Sequence, residues 1–431
     1  MRERMQWTLL SICCLLSTQW VVAGTPEPYG QDFYRLDASW EDGRARSLPN
    51  AEAVSRPVDA GAYLQQLERQ EVEGGPYADG LAEPLVGLGR YYRDQGNYPA
   101  ALHSYQRALH VVRVNDGLYS ERQIPLVRDL LDTYRLSGEM EALDERYEYF
   151  FRLYGSGQPP FTDLRLRATV EFLRWQREAT RLDLDGSSTV RLIQMYELNN
   201  RILEDVAQSV DVKESWYQQL ALSQIRNLYL LQTRIRMPNE NVSLSSGPLS
   251  QSGQGMAPDF NEQRLVTIMR TSSARGRALL QEVISRASVG ASPAELAALH
   301  LELGDWHQWN DSTREALKEY RRAIQILEDA GETLLLERWL GSPVELPANG
   351  AFWQPKIETG EVGRVVLLAD YDVSTRGNAR NIRISSLDSG GEAYTGRLRR
   401  KLAATRFRPR IAAGEAVFSE GLSRKYETLV E

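Results

Sequence analysis

The densest group of side chains with chemical capability is a basic run near the C-terminus, comprising Arg397, Arg399, Arg400, Lys401, Arg406, Arg408 and Arg410. Cations at that density can dock an acidic surface, supplied by another protein or by the rest of the same chain. On a helix they also serve simply as a solvated face. Nucleic acid is not the expected target, because exposed aromatic side chains do not interleave the run. The four histidines have ordinary explanations. His103 and His110 share a helix face without a third ligand, and His300 and His307 fall on inward positions of a helix, so packing is favoured over metal binding. "DLDG" at Asp183–Gly186 lacks the later ligands of a calcium loop and reads as a turn between helices. Asp370 and Asp372 lie on the polar side of an alternating strand, where they solubilise it. His-Glu-x-x-His, a phosphate loop and Gly-x-Ser-x-Gly are all absent from the sequence. No catalytic residue, metal site or cofactor is therefore expected.

The elements that would position these residues follow from length and patterning. With 431 residues the chain has room for two or three domains. Its net charge of -7 is unevenly spread: from Glu361 onward 13 Lys and Arg stand against 9 Asp and Glu, so that segment carries +4 and the remainder -11. Residues 1–24 have the form of an export signal. Arg2 and Arg4 precede the apolar "TLLSICCLLSTQWVV", and small residues mark a cleavage site near Ala23 or Gly24. Ser17, Thr18 and Gln19 interrupt the run, which is short of the roughly 20 apolar residues of a spanning helix, so cleavage is favoured over a retained anchor. Both cysteines, Cys13 and Cys14, lie inside this segment, so a cleaved chain has no disulfide and no thiolate metal site. Residues 25–75, broken by Pro26, Pro28, Pro49 and Pro57, read as mostly irregular, with a brief helical pattern around "AYLQQLERQ".

From Leu85 to Leu109, "LVGLGRYYRDQGNYPAALHSYQRAL" repeats apolar and small residues at helical spacing on two segments separated by "DQGNY", the pattern of an antiparallel helix pair. Leu88, Gly89, Tyr92, Gly96, Tyr98, Ala101, Tyr105 and Ala108 resemble the signature of a tetratricopeptide repeat. A looser copy follows with Tyr134, Gly138, Ala142 and Tyr147. A third has Leu303, Gly304, Ala316, Tyr320 and Ala323. A single helix pair cannot cover its own apolar face, so the periodic stretches between the copies are expected to continue the stack, giving an α-solenoid over residues 76–340. A Ser-, Gly- and Pro-rich loop is expected at about 238–258. The resemblance implies a concave partner-binding surface, on which Val86, Arg90 and Arg93 occupy lining positions.

After a linker at 341–360 the period changes to two. "GRVVLLADYDV" places Val365, Leu367, Ala369, Tyr371 and Val373 on one face, "STRGN" is a glycine turn, and "ARNIRISSL" is a second strand with Ile382 and Ile384 inward. Tyr394, Leu398 and Leu402 form one stripe of a helix, Pro409 ends that region, and a last strand carries Phe418, Leu422 and Tyr426. This β-β-α-β order, with "RFRP" and "GEAV", resembles the C-terminal domain of TonB-type energy transducers over residues 361–431. The chain departs from that family in lacking an opening Tyr-Pro pair and a long Pro-rich spacer.

The fold expected is thus mainly α, a tetratricopeptide-like solenoid followed by a small α/β TonB-like domain. The function expected is that of a non-enzymatic bacterial adaptor in the periplasm. It would bind protein or peptide partners, outer-membrane proteins among them, through Val86, Arg90 and Arg93 of the groove and Arg397, Arg399, Arg400, Lys401, Arg406 and Arg408 of the terminal domain. The sheet edge is a further expected contact, since unpaired strand groups accept another strand. Two alternatives remain: a TonB-type energy transducer, and a cell-wall hydrolase with carboxylates in the solenoid groove.

Overall fold

A computed structural model describes residues 27–29, 33–35, 60–184, 188–236, 260–353 and 363–430. The expected export signal and the expected Ser/Gly-rich loop fall outside the described residues. The described chain is mainly helical, a repeat-like stack followed by small antiparallel sheets. Helices α1 (Ala60–Gly74), α2 (Ala82–Asp94), α3 (Tyr98–Asp116), α4 (Gln123–Ser137), α5 (Met140–Leu153), α6 (Asp163–Leu182), α7 (Ser188–Gln208), α8 (Glu214–Arg236) and α9 (Phe260–Ala287) follow one another. Then come α10 (Pro293–Trp309), α11 (Thr313–Asp329) and the short α12 (Thr333–Leu340).

The turn chemistry that the sequence advertises is in place. Gly96 and Gly138 take positive φ after α2 and α4, where a Cβ would be strained. Asn97 caps α3 by accepting from the Ala100 N–H, and Ser292 with Glu295 forms a reciprocal capping box on α10. Inside the pairs, small residues let helices approach. A Cβ on Gly89 would lie 2.6 Å from Tyr105 Cε1, and one on Gly304 would lie 2.6 Å from Tyr320 Cδ1. The same glycine-to-tyrosine seat therefore recurs in α2/α3 and in α10/α11.

One apolar cluster runs from α1 to α6, with Tyr147 stacked on Trp175 at 4.9 Å and Phe151 on Phe172 at 4.1 Å. A second runs from α6 through α10, centred on Tyr229, Trp306 and Trp309.

Two expected boundaries are corrected. The brief helical pattern expected around "AYLQQLERQ" is helix α1, which buries Leu67 and sets Tyr63 against Gly87, so the helical body begins before residue 76. Residues 27–29 and 33–35 form strands β1 and β2. The supposed linker is also structured where it is described. Strand β3 (Val344–Glu345) pairs with β6 (Phe407–Arg408), and Leu346 and Ala351 are buried in the second helical cluster.

The C-terminal sheet has the order β1-β2-β9-β4-β5, antiparallel throughout, with β4 (Gly363–Val373), β5 (Ala379–Ser386) and β9 (Ser419–Val430). Helix α13 (Glu392–Ala404) crosses it and seats Leu398 and Leu402 on Val365, Leu367, Ala369, Tyr371 and Val373, while Ile382 and Ile384 pack at the margin. The expected last strand is divided. Strand β8 (Glu415–Val417) folds back on β7 (Arg410–Ala412), so Phe418 turns outward at 43% exposure while Tyr426 is buried.

Candidate interaction surface

Alternate helices of the stack are bridged by charged and polar side chains. Arg90 and Arg93 of α2 both donate to Asp129 of α4, at 3.0 and 3.2 Å. Arg128 and Arg135 of α4 reach Glu171 and Glu178 of α6, at 3.1 and 2.9 Å. Arg177 of α6, only 4% exposed, donates to Ser223 Oγ and Asn227 Oδ1 of α8, both at 2.9 Å. The Arg128–Glu171 and Arg135–Glu178 pairs are each 43 positions apart. The α2–α4 contacts of Arg90 and Arg93 with Asp129 span 39 and 36 positions.

Of the groove residues expected from sequence, Arg90 keeps a side-chain exposure of 54%. Arg93 is at 19%, and Val86 is half-buried against the first apolar cluster. The pattern of lining positions thus overstates Val86, which packs, and treats as free two guanidinium groups that converge on one carboxylate. Sequence reasoning missed the acids. Asp129 accepts from both arginines, and the half-buried Asp132 carboxyl, one turn on, is pushed up to about 6 by burial and by Asp129, with Arg93 and Arg135 opposing.

The basic run divides into two parts. Arg397, Arg399 and Arg400 are exposed on α13, with the Arg397 guanidinium 5.9 Å from the Tyr394 ring, and Lys401 is half-buried. Arg408 is corrected as a surface contact. Arg408 pairs with Asp305 of α10 at 3.1 Å, the two side chains being 6% and 4% exposed, and Tyr320 donates to the same carboxylate at 3.0 Å. Arg406 binds Asp311 and Asn378. The physical cause is position: β6 lies between β3 and α10, so alternation can turn neither Phe407 nor Arg408 to water, while Arg406, just before β6, keeps 30% of its side chain exposed.

Around this pair the terminal sheet is fastened to the helices. Gln308 donates to the carbonyls of Arg376 and Phe407 at 2.8 and 3.1 Å. Gly377, at φ +72°, leaves the space that the Phe407 carbonyl and the Gln308 amide occupy. Glu345 accepts from Arg424, Tyr426 and Tyr371 at 2.5, 2.8 and 3.3 Å. Arg321 of α11 reaches the Gly414 carbonyl at 2.8 Å and the Glu415 carboxylate. Burial raises the Asp305 carboxyl above its ordinary range against the pull of Arg408. Glu302, held by Asn349 at 2.6 Å, is pushed up to about 7 by burial and by Asp305.

The remaining candidates are accounted for locally. His300 Nδ1 lies 2.7 Å from Glu319 Oε2, and His307 is 9% exposed on α10. Asp372 accepts from Asn381 and from the Gly421 N–H, and these hydrogen bonds hold its carboxyl below the usual range. Asp183 closes α6 in the left-handed conformation. Among the described residues, no cluster of three or more potential metal ligands occurs, and no helix is long and apolar enough to cross a membrane.

No protein-family model and no curated protein matches the chain. Among solved structures, it is similar to a "circular tandem repeat protein with novel repeat topology and enhanced subunit contact surfaces", at 14% identity and a TM-score of 0.30, over 65% of this chain and 68% of the other. Likeness at that level bears on neither activity nor partners.

Proposed function

We propose that this chain is a non-enzymatic adaptor of the bacterial cell envelope, exported to the periplasm. In this reading tetratricopeptide-like units present the α2/α4/α6 face to a protein or peptide, and a small TonB-like domain is fixed against the last unit. The observation that carries the reading is the charged ladder along that face. Arg90, Arg128, Arg135 and Arg174 keep between 25% and 54% of their side chains exposed while paired to acids. Pairs that water screens contribute only about 0.2–1 kcal/mol each to stability, and Arg128–Glu171, at 39% and 22% exposure, is of that kind and can exchange for a partner's charges at little cost, whereas Glu178, 1% exposed, holds Arg135 and Arg174 for the stack itself. Alternating charge along such a face favours specificity and register. In this reading the exposed Arg397, Arg399 and Arg400 of the terminal domain meet an acidic partner, whereas Arg408 serves the internal joint. Energy transduction is the second reading.

Envelope extracts passed over the intact chain and over an Arg90→Glu, Arg128→Glu variant test the proposal. Loss of a defined captured protein, with helical content and melting unchanged, supports it; identical captured sets for the two chains refute it. One observation favours the hydrolase reading: Asp132, with its raised carboxyl, sits beside Asp129, which accepts from two arginines, and glycosidic hydrolysis uses two carboxyls in unlike surroundings. Cell-wall digestion that disappears in Asp132→Asn would establish that reading instead.

A further inference from the structure

Asn349 and Gly350 form the single Asn-Gly pair in the sequence. The segment that carries them straps the terminal sheet to the helical body. Leu346 donates its N–H to the Arg406 carbonyl at 2.9 Å and is buried with Ala351 in the second helical cluster, and the Phe352 ring lies 5.9 Å from that of Trp309. Three contacts fix Asn349 between α8 and α10. Its Nδ2 donates to Glu302 Oε1 at 2.6 Å, its Oδ1 accepts from the Ala351 N–H at 3.1 Å, and its main-chain carbonyl accepts from Arg226 Nε at 2.9 Å. We infer that this is a self-modification site: the Gly350 nitrogen attacks the Asn349 carboxamide, Glu302 supplies the proton for the departing ammonia, and the strap acquires a carboxylate in place of a hydrogen-bond donor.

The groups for each step are assembled. Gly350 has no Cβ to shield its nitrogen and takes φ +75°, and among the described residues its N–H has no acceptor. That nitrogen releases its proton to water and bonds to Asn349 Cγ, moving the carbonyl electron pair onto Oδ1. The Ala351 N–H donates to that oxygen, where the charge develops. The pair returns as the Cγ–Nδ2 bond breaks, and the nitrogen leaves as ammonia with a proton from Glu302, which recovers one from water. Water then opens the five-membered imide at either carbonyl, giving aspartate or isoaspartate.

The surroundings of Glu302 suit it to the acid's part. Burial and Asp305, one turn on along α10, disfavour its charge, while Asn349, Arg226 of α8 and Arg408 of β6 favour it, and the carboxyl rests at about 7. The Tyr229 and Tyr320 hydroxyls, from α8 and α11, stay neutral beside it. The product opposes the joint. An aspartate at 349 faces Glu302 with Asp305 nearby, and like charges in a half-buried seam repel. Isoaspartate also lengthens the main chain by a methylene. Conversion therefore loosens the strap from the helices.

The test is independent of what the charged face binds. The full chain, its Glu302→Gln variant and a free peptide of residues 343–353 are incubated in oxygen-18 water at pH 6 and pH 8, and label at position 349 is followed by mass spectrometry of digests. Glutamine keeps an acceptor for Asn349 but is no acid. The proposal expects label in the full chain, conversion slowed at least about tenfold by Glu302→Gln at pH 6, and a smaller ratio between the two at pH 8, where Glu302 is ionised. Asn349 intact in the full chain while the peptide converts, equal rates for chain and variant, or the same ratio at both pH values would each overturn it.

Discussion

Replacing Arg408 by methionine removes the cation from a pair whose two side chains are 6% and 4% exposed, and leaves Asp305 buried. Stranding one member of such a pair costs about 3–5 kcal/mol. The lower end applies here, because Asp305 can take up a proton: burial already raises its carboxyl, and Arg408 is the largest influence pulling it down. The expected loss at pH 7 is thus about 3 kcal/mol. Its pH dependence has a definite sign. Without Arg408 the folded-state pKa of Asp305 rises further above its unfolded value, so the penalty is full at high pH and shrinks as pH falls and the carboxyl protonates. Replacing both partners, Asp305→Asn with Arg408→Met, keeps an acceptor for the Tyr320 hydroxyl and should cost about 1 kcal/mol or less, leaving a coupling of at least about 2 kcal/mol. Urea unfolding followed through tryptophan emission reads this directly, because Trp306 and Trp309 are buried on the same helix. A loss below about 1 kcal/mol for Arg408→Met, or additive single and double variants, would show that the pair does not hold the terminal domain to the helices.

Gly304→Ala should lower stability by about 1–2 kcal/mol because its methyl group meets the Tyr320 ring, while Gly290→Ala, with open space around it, should be neutral or slightly stabilising in the same melts. Glu302→Gln should stabilise the chain by up to about 3 kcal/mol at pH 8, less in proportion to the exposure it keeps, and by nothing at pH 4. The sign follows because a carboxyl at about 7 in the folded chain imposes its penalty only above its unfolded pKa; equal effects at both pH values would refute it. Arg399→Glu with Arg400→Glu should move stability by less than about 0.5 kcal/mol, since both side chains are exposed, and a larger loss would mean that α13 uses them internally.

How much of this was legible depended on the range of the interaction. The inward stripe of β4 and the Gly89/Tyr105 seat follow from residues within a few turns of one another, and period and side-chain size reveal them. Helix α9 was not anticipated as a separate element: its charged and small residues give no marked stripe. Arg408 was read as surface because a basic run looks the same whether it faces water or a buried acid, and its acid lies 103 positions away. The β2–β9 pairing joins three residues near one end to three near the other, and main-chain pairing leaves no local composition to detect. The acids opposite Arg90 and Arg93 were missed for a related reason, since helical periodicity shows which face a residue occupies but not which neighbouring helix faces it.

The adaptor reading is tested most directly by site-specific photocrosslinking in cells. A photoreactive amino acid is placed at position 90 or 174 on the charged face, and at position 210 or 289, where Val210 and Val289 are 97% and 91% exposed, as controls. Discrete protein adducts at 90 and 174, absent at 210 and 289, are the predicted result. Adducts at all four positions alike, or none on the charged face, would contradict it.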